Sequence, residues 1–183
     1  INGTTFKKLP NTKGKILVSD QSSMFLSKPC NVEDYGIIWA GVQKNVGPAG
    51  MAVVIIREDL IGDVPDFCPT YLSYKTHADK DSMYNTPNCW DIYCCGKVFK
   101  YLLSIGGLEE VQRINEDKAK VLYDFLDESK LFTGSVVPED RSLMNVPFVT
   151  GSDEEDAAVV AATKAAGMDN LKGHRSVGGL RAS

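Results

Sequence analysis

Three short apolar runs, each closed by a polar or glycine break, dominate the first third of the chain. Lys15-Ile16-Leu17-Val18-Ser19 ends at Asp20, Gly36-Ile37-Ile38-Trp39-Ala40 ends at Gly41, and Met51-Ala52-Val53-Val54-Ile55-Ile56 ends at Arg57. All three are nearly continuous and rich in β-branched residues, without the alternation of a half-solvated strand. That is how strands covered on both faces of an α/β sheet read. Between the second and third runs, residues 42–50 carry Gly47, Pro48 and Gly50 and must form a shaped loop. Residues 62–88 follow without clear periodicity, with Pro65, Pro69 and Pro87 set among Phe67, Tyr71, Tyr74 and Tyr84. So long a stretch inside a compact domain tends to serve function.

From Trp90 the pattern turns helical, with Tyr93, Val98, Tyr101 and Leu102 near helical spacing until Gly106-Gly107 stops them. A second helix is expected with Leu108, Val111, Ile114, Ala119, Leu122, Phe125 and Leu126 on one face and Asn115-Glu116-Asp117-Lys118 as a solvated segment. Residues 144–149 predict a strand that Pro147 confines to an edge, an end or a bulge. Asp153-Glu154-Glu155-Asp156 puts acidic charge at the start of an Ala-rich helix, where the macrodipole favours it, and Gly167 ends that helix. The expected architecture is α/β in two parts. Residues 1–105 hold the strands of a larger sheet and a connecting helix, residues 106–183 a smaller α/β unit, with Gly106-Gly107 as the hinge.

Composition narrows the function. The chain has 183 residues, 43% hydrophobic and 24% charged, which excludes wholesale disorder and collagen-like structure. Its formal net charge of −4 lacks the basic footprint of a nucleic-acid binder. No apolar run approaches the ~20 residues that cross a bilayer, and Ile1-Asn2-Gly3-Thr4 does not read as a signal peptide. The five cysteines, Cys30, Cys68, Cys89, Cys94 and Cys95, are odd in number and fit no C-x-x-C pattern, with only His77 and His174 to assist. Free thiols in a reducing cytosol and no metal site are expected. The ending Leu180-Arg181-Ala182-Ser183 suits either a domain end or a fragment of a longer chain.

Lys44 stands in a glycine-bracketed loop just after a predicted strand. Such a lysine is either solvated and inert or, held on a rigid strand end, forms a Schiff base with an aldehyde. Asp20 takes the matching place at the end of the preceding strand, where α/β sheets bind their ligands. On its own it could simply form a turn with Gln21-Ser22-Ser23. Adjacent strands lie ~4.8 Å apart, so the two residues can face one small ring if their strands are close neighbours. Pyridoxal phosphate needs that pair: a lysine for its aldehyde and a carboxylate to keep its ring nitrogen protonated. Ser22, Ser23, the backbone at Gly47 and Gly50, and Asn85-Thr86 are candidate phosphate donors. Lys172-Gly173-His174-Arg175 and Arg181 concentrate cations among glycines, either as a solvated loop or to capture a substrate with more than one anionic group. No G-x-x-x-x-G-K-[ST] and no G-x-G-x-x-G occurs, which weakens nucleotide-binding alternatives.

Four stretches carry a resemblance that covers essentially the whole chain: Asp20-Gln21-Ser22-Ser23-Met24-Phe25-Leu26-Ser27-Lys28-Pro29, Ala40-Gly41-Val42-Gln43-Lys44-Asn45-Val46-Gly47-Pro48-Ala49-Gly50, Tyr84-Asn85-Thr86-Pro87, and Lys172 through Ser183. In order and spacing they resemble the phosphoserine aminotransferase family. The resemblance implies a fold-type I pyridoxal-phosphate enzyme, a cytoplasmic homodimer with its active site at the subunit interface. It would transfer an amino group between L-glutamate and 3-phosphohydroxypyruvate in serine biosynthesis. By position, Lys44 resembles the Schiff-base lysine, Asp20 the partner of the pyridine nitrogen and Gln43 a cofactor contact. Asn85 and Thr86 resemble the pair that reaches the neighbouring subunit's cofactor phosphate, and His174, Arg175 and Arg181 resemble substrate-anion ligands. Family members are about twice as long, so the chain is expected to be the later part of a longer polypeptide and inactive alone. Another fold-type I enzyme, or a non-catalytic interaction domain, remain the alternatives.

Overall fold

Lys13 (φ 51°) and Gly14 (φ 79°) take left-handed backbone, and the Lys15 amide closes the turn on Thr12 O at 3.0 Å. This delivers the chain into β1 (Val18–Asp20), a shorter strand than the apolar run predicts. β1 pairs in parallel with β2 (Ile37–Gly41), and β2 pairs antiparallel with β3 (Ala52–Ile56). The computed structural model describes residues 2–183, in two compact units: Asn11–Glu109, and residues 2–10 together with Glu110–Ser183.

In the unit Asn11–Glu109, the residues after Ser73, whose side chain accepts from the Thr76 amide, wind into the short helix α1 (Tyr74–Ala78). Asn88 then caps α2 (Cys89–Ser104) by accepting from the Asp91 amide at 3.2 Å. The core joins Phe25, Ala40, Val42, Val46 and Cys95, with Met51, Val53 and Val98 packed against it. Only one face of the sheet is covered this way. Trp39 and its cross-strand partner Val54 remain 39% exposed each, and Val18 54%. Among the described residues of this unit, α2 and the strand-end turns cover the Ala40 face alone.

Beyond Gly106 (φ 118°) and Gly107 (φ 80°) runs α3 (Gly107–Glu128). Its buried stripe is Val111, Asn115, Ala119, Tyr123 and Leu126, rotated from the predicted one. Asn115, expected in a solvated segment, is 5% exposed, while Phe125, expected inside, is 55% exposed. Steps of four residues place Asn115 in line with Val111 and Ala119, and Phe125 about 200° round from Tyr123. Arg113 bonded to Glu110 and Asp117, and Lys120 bonded to Asp124, occupy the solvent side.

The second sheet is antiparallel throughout, with order β4 (Thr133–Gly134), β5 (Val146–Val149), β7 (Gly178–Ala182), β6 (Lys172–His174). β5 is thus internal, with Pro147 inside it. The Pro147 carbonyl accepts from Ser135 N at 3.2 Å, on the β4 side. A residue's N and C=O share one side of an antiparallel strand, so the missing N–H faces the end of two-residue β4 and no bond to β7 is lost. Helix α4 (Asp153–Ala165) starts at Ser152, which accepts from the Glu155 amide while Glu155 accepts from Gly151 N at 2.9 Å. Ala119, Tyr123, Leu126, Val146, Phe148 and Leu180 form the core, and Val159 and Val160 pack on it.

Arg141 ties this unit together. Its guanidinium forks onto Asp127 at 2.7 and 2.5 Å, lies 4.5 Å over the Tyr123 ring, and its carbonyl accepts from Lys7 Nζ at 2.6 Å. Two expected outcomes follow from this packing. Leu180 is 1% exposed, so Leu180→Ala should remove about 3 kcal/mol of stability, measured as a lower urea midpoint by circular dichroism. The Arg141 hydrogen bond holds the Asp127 carboxyl below the ordinary aspartate value. A depressed folded pKa gives stability that is complete above the unfolded value of ~3.9 and is lost as pH falls through the folded one. Asp127→Asn should therefore flatten the acid limb of the stability curve below about pH 4, with little change in its slope above pH 5.

Candidate active site

Parallel pairing brings two strand ends to the same level. Asp20 is level with Trp39, and the Gln21 amide continues the ladder onto Trp39 O at 2.8 Å. Asp20 Oδ1 then accepts from both the Ser22 amide (2.9 Å) and the Ser22 hydroxyl (2.6 Å), an Asx turn. The same hydroxyl oxygen accepts from Gly41 N at 3.0 Å, binding the turn after β1 to the end of β2. Asp20 stays exposed, with its second carboxylate oxygen free of any protein partner among the described residues.

The chain leaves β2 through one tight turn, in which the Val46 and Gly47 amides both bond Val42 O at 3.0 Å. Asn45 Nδ2 anchors that turn on Phe25 O at 2.8 Å, and Val42 N bonds Met51 O at 3.2 Å. Val42 and Val46 are fully buried, so the intervening Gln43 and Lys44 face outward. Lys44 Nζ donates to Ser23 Oγ at 2.7 Å. Amine and carboxylate are thereby joined through the adjacent Ser22 and Ser23. Gln43 curls back on the strand end, where a Cβ on Gly41 would lie 2.7 Å from its Oε1.

Beneath the turn stand two side chains that the sequence pattern did not single out. Asp91 and Cys95 are each 2% exposed, and Asp91 Oδ2 has no hydrogen-bond partner among the described residues. Burial pushes the Cys95 thiol up, and the Asp91 charge adds to the effect, so the thiol is protonated at neutral pH. The i, i+4 spacing of Cys95 and Asp91 was visible; their depth was not, because the same helix exposes Trp90, Tyr93 and Tyr101.

The other expected site residues lie elsewhere. Asn85 and Thr86 belong to the same unit, in the turn before α2, with Asn85 Nδ2 bonded to Thr86 O at 2.9 Å. His174 ends β6 and Arg181 lies in β7 of the second unit, with Arg175 in the turn between. His174 Nδ1 accepts from Ser176 N at 3.2 Å and meets Ser176 Oγ at 2.7 Å. Gly173 lets β6 and β7 close: a Cβ there would lie 1.9 Å from Gly178 O. Among the described residues no cluster of His, Cys, Asp and Glu could hold a metal ion, and no helix is long and apolar enough to cross a membrane.

An amine and a carboxylate thus stand at neighbouring carboxyl ends of parallel strands in an α/β unit. The chain belongs to the class-V aminotransferase family, whose model matches residues 4–183. It is 53% identical to the phosphoserine aminotransferase of Lactiplantibacillus plantarum over 183 residues, all of this chain and 51% of that protein. Its fold superposes on phosphoserine aminotransferase from Bacillus circulans subsp. alkalophilus with a TM-score of 0.96 at 44% identity, covering all of this chain and 51% of that one. The pyridoxal-phosphate-bound enzyme from Trichomonas vaginalis gives 0.94 at 40% identity, covering 99% and 52%. The chain spans about half the length of the curated relatives it matches.

The geometry gives one expected outcome. Ser22→Ala leaves the Gly41 amide without its acceptor, at about 1 kcal/mol, and should speed hydrogen exchange at that amide roughly fivefold. An unchanged rate would remove the bridge from the account.

Proposed function

We propose that the polypeptide containing this chain is a pyridoxal-phosphate-dependent transaminase that moves an amino group between L-glutamate and 3-phosphohydroxypyruvate, giving O-phospho-L-serine and 2-oxoglutarate. The reading includes a cytoplasmic homodimer working in serine biosynthesis. Two lines support it: the phosphoserine aminotransferases that the chain resembles over its whole length, and the Ser22-Ser23 link between Asp20 and Lys44. That link carries the reading. It gives the amine and the carboxylate one rigid base on paired strands.

The donor set fits the cofactor. Lys44 offers a primary amine for its aldehyde, and Asp20 keeps one oxygen on Ser22 and one open for the protonated ring nitrogen. When bound, pyridoxal phosphate supplies an electron sink that makes the substrate α-hydrogen acidic. Asp20 holds the proton on the ring nitrogen. Lys44 Nζ would hold the cofactor's aldehyde and, as general base and acid, would move the proton removed from the substrate Cα to the cofactor's aldehyde carbon. Ser23 Oγ accepts from Lys44 Nζ and would orient that amine whenever it is free of the aldehyde. Gln43 contacts the cofactor, and Ser22 holds the turn on which Asp20 stands. Asn85 and Thr86 contribute donors to the cofactor phosphate of the partner subunit. His174, Arg175 and Arg181 bind the phosphate and carboxylate groups of the substrates, with the bidentate guanidinium suited to both.

The test uses the full-length polypeptide loaded with pyridoxal phosphate. Borohydride reduction followed by peptide mass measurement should place the cofactor on Lys44. Lys44→Ala should lose that adduct and lower kcat by about 10²–10⁴-fold. Asp20→Ala should retain cofactor and slow transfer on the order of 10²-fold. Phosphohydroxypyruvate with glutamate should be turned over in preference to alanine with glyoxylate, and cysteine should yield no sulfide. An adduct on another lysine, or preference for the unphosphorylated acids, overturns the assignment.

A further inference from the structure

Asp91 and Cys95 lie one turn apart on α2, on one helix face, and both are 2% exposed. They meet the Lys44 turn at its two glycines. A Cβ on Gly47 would lie 2.5 Å from Cys95 Sγ, and one on Gly50 would lie 2.9 Å from Asp91 Oδ2 and 2.8 Å from the Nδ2 of the helix cap, Asn88. The loop backbone therefore rests directly on these side chains, with no room between for a methyl group. Gly50 also takes φ 137°, which favours glycine, whereas Gly47 does not. At Gly47 the only hard obstacle is the sulfur; the next atom, Val42 Cγ2, stands at 3.4 Å.

Asp91 Oδ2 is a buried oxygen without a partner among the described residues. Unsatisfied buried groups are rare in native proteins and call for a reason other than stability. The first turn of α2 offsets part of the charge's cost. The reason that the geometry offers is placement, since the carboxylate fills the space under Gly50.

We propose that Cys95 and Asp91 are positioning residues for Lys44, setting the height and course of its loop from beneath, through Gly47 and Gly50. The inference rests on the reading of Lys44 as the cofactor lysine. It assigns to α2 a part in the chemistry that passes through the backbone of the Lys44 loop. A loop lifted by an added methyl group moves the amine away from Ser23 Oγ, and with it the proton transfer that the amine performs. The anion-binding residues sit in another unit and are untouched, so the loss should fall on kcat rather than on KM.

The experiment uses the full-length holoenzyme. Gly47→Ala should lower kcat about tenfold to a hundredfold, with KM for glutamate and phosphohydroxypyruvate within about twofold of wild type. Adding Cys95→Ala in the same chain opens the space and should return kcat to the level of the Cys95→Ala single variant. Asp91→Ala, which withdraws the support under Gly50, should lower kcat with the same KM pattern. Should Gly47→Ala fail to fold by circular dichroism, Cys95→Val presses on the same glycine and should give the same kcat loss. A folded Gly47→Ala or Cys95→Val enzyme with unimpaired kcat overturns the inference, and so does a Gly47→Ala loss that Cys95→Ala does not relieve. A wild-type holoenzyme that traps no cofactor on Lys44 overturns the functional reading itself, and the two failures are thus distinct.

Discussion

The parallel register of β1 and β2 is the constraint on which the site depends. In a parallel pair both strands deliver their carboxyl ends to the same edge, whereas an antiparallel pair would send them to opposite edges. With Asp20 level with Trp39, the first residues after each strand become neighbours. Ser22 can then bridge Asp20 and Gly41, and Ser23 can meet Lys44, although 21 positions separate the last two in sequence. One ladder contact, Gln21 N to Trp39 O, holds the register at the level where it matters. A slip of one residue would turn Asp20 to the opposite face of the sheet.

Rigidity at Lys44 comes from its neighbours rather than from the lysine. Val42 and Val46 are buried at 0% and 1% exposure on either side of it, and Asn45 is fastened to the Phe25 carbonyl. The exposed Gln43-Lys44 pair is the crest of a turn whose two ends are nailed into the core. The amine is thereby left accessible while the backbone on either side of it is held.

The strand ends and the Lys44 loop were legible because the signals there are local. A β-branched run followed by glycine or aspartate marks a strand and its exit whatever surrounds it. What was not legible depended on partners distant in sequence. Phe125 is apolar and Asn115 polar, yet the second is buried and the first exposed, because the tertiary contacts of α3 select the stripe through Ala119 and Tyr123. Pro147 argues for an edge, an end or a bulge, but the fold turns its missing N–H toward the end of β4, so that the pairing with β7 is kept. Cys95 and Asp91 carry no motif, and their importance lies in which glycines they touch. The apolar runs also predicted cover on both sheet faces, where the contacts of this unit cover one.

The arginines show how charge separates scaffold from site. Arg57 bonds Asp59, Arg113 bonds Glu110 and Asp117, and Arg141 bonds Asp127. Arg175 and Arg181 have no carboxylate partner among the described residues, in a chain with 24 acidic groups against 20 basic ones. These two share a hairpin whose glycines bring its strands closer than any side chain allows. His174 beside them accepts at Nδ1 from the Ser176 amide, which leaves Nε2 to carry the proton of the neutral ring. A donor-rich hairpin without internal acceptors for its charge is stable only because water solvates it, and an anionic ligand with two or more oxygens replaces that water most favourably. A ligand at Arg141 would have to displace Asp127 and abandon the Tyr123 ring, so that guanidinium holds the fold, whereas the hairpin pair stands free of any carboxylate among the described residues.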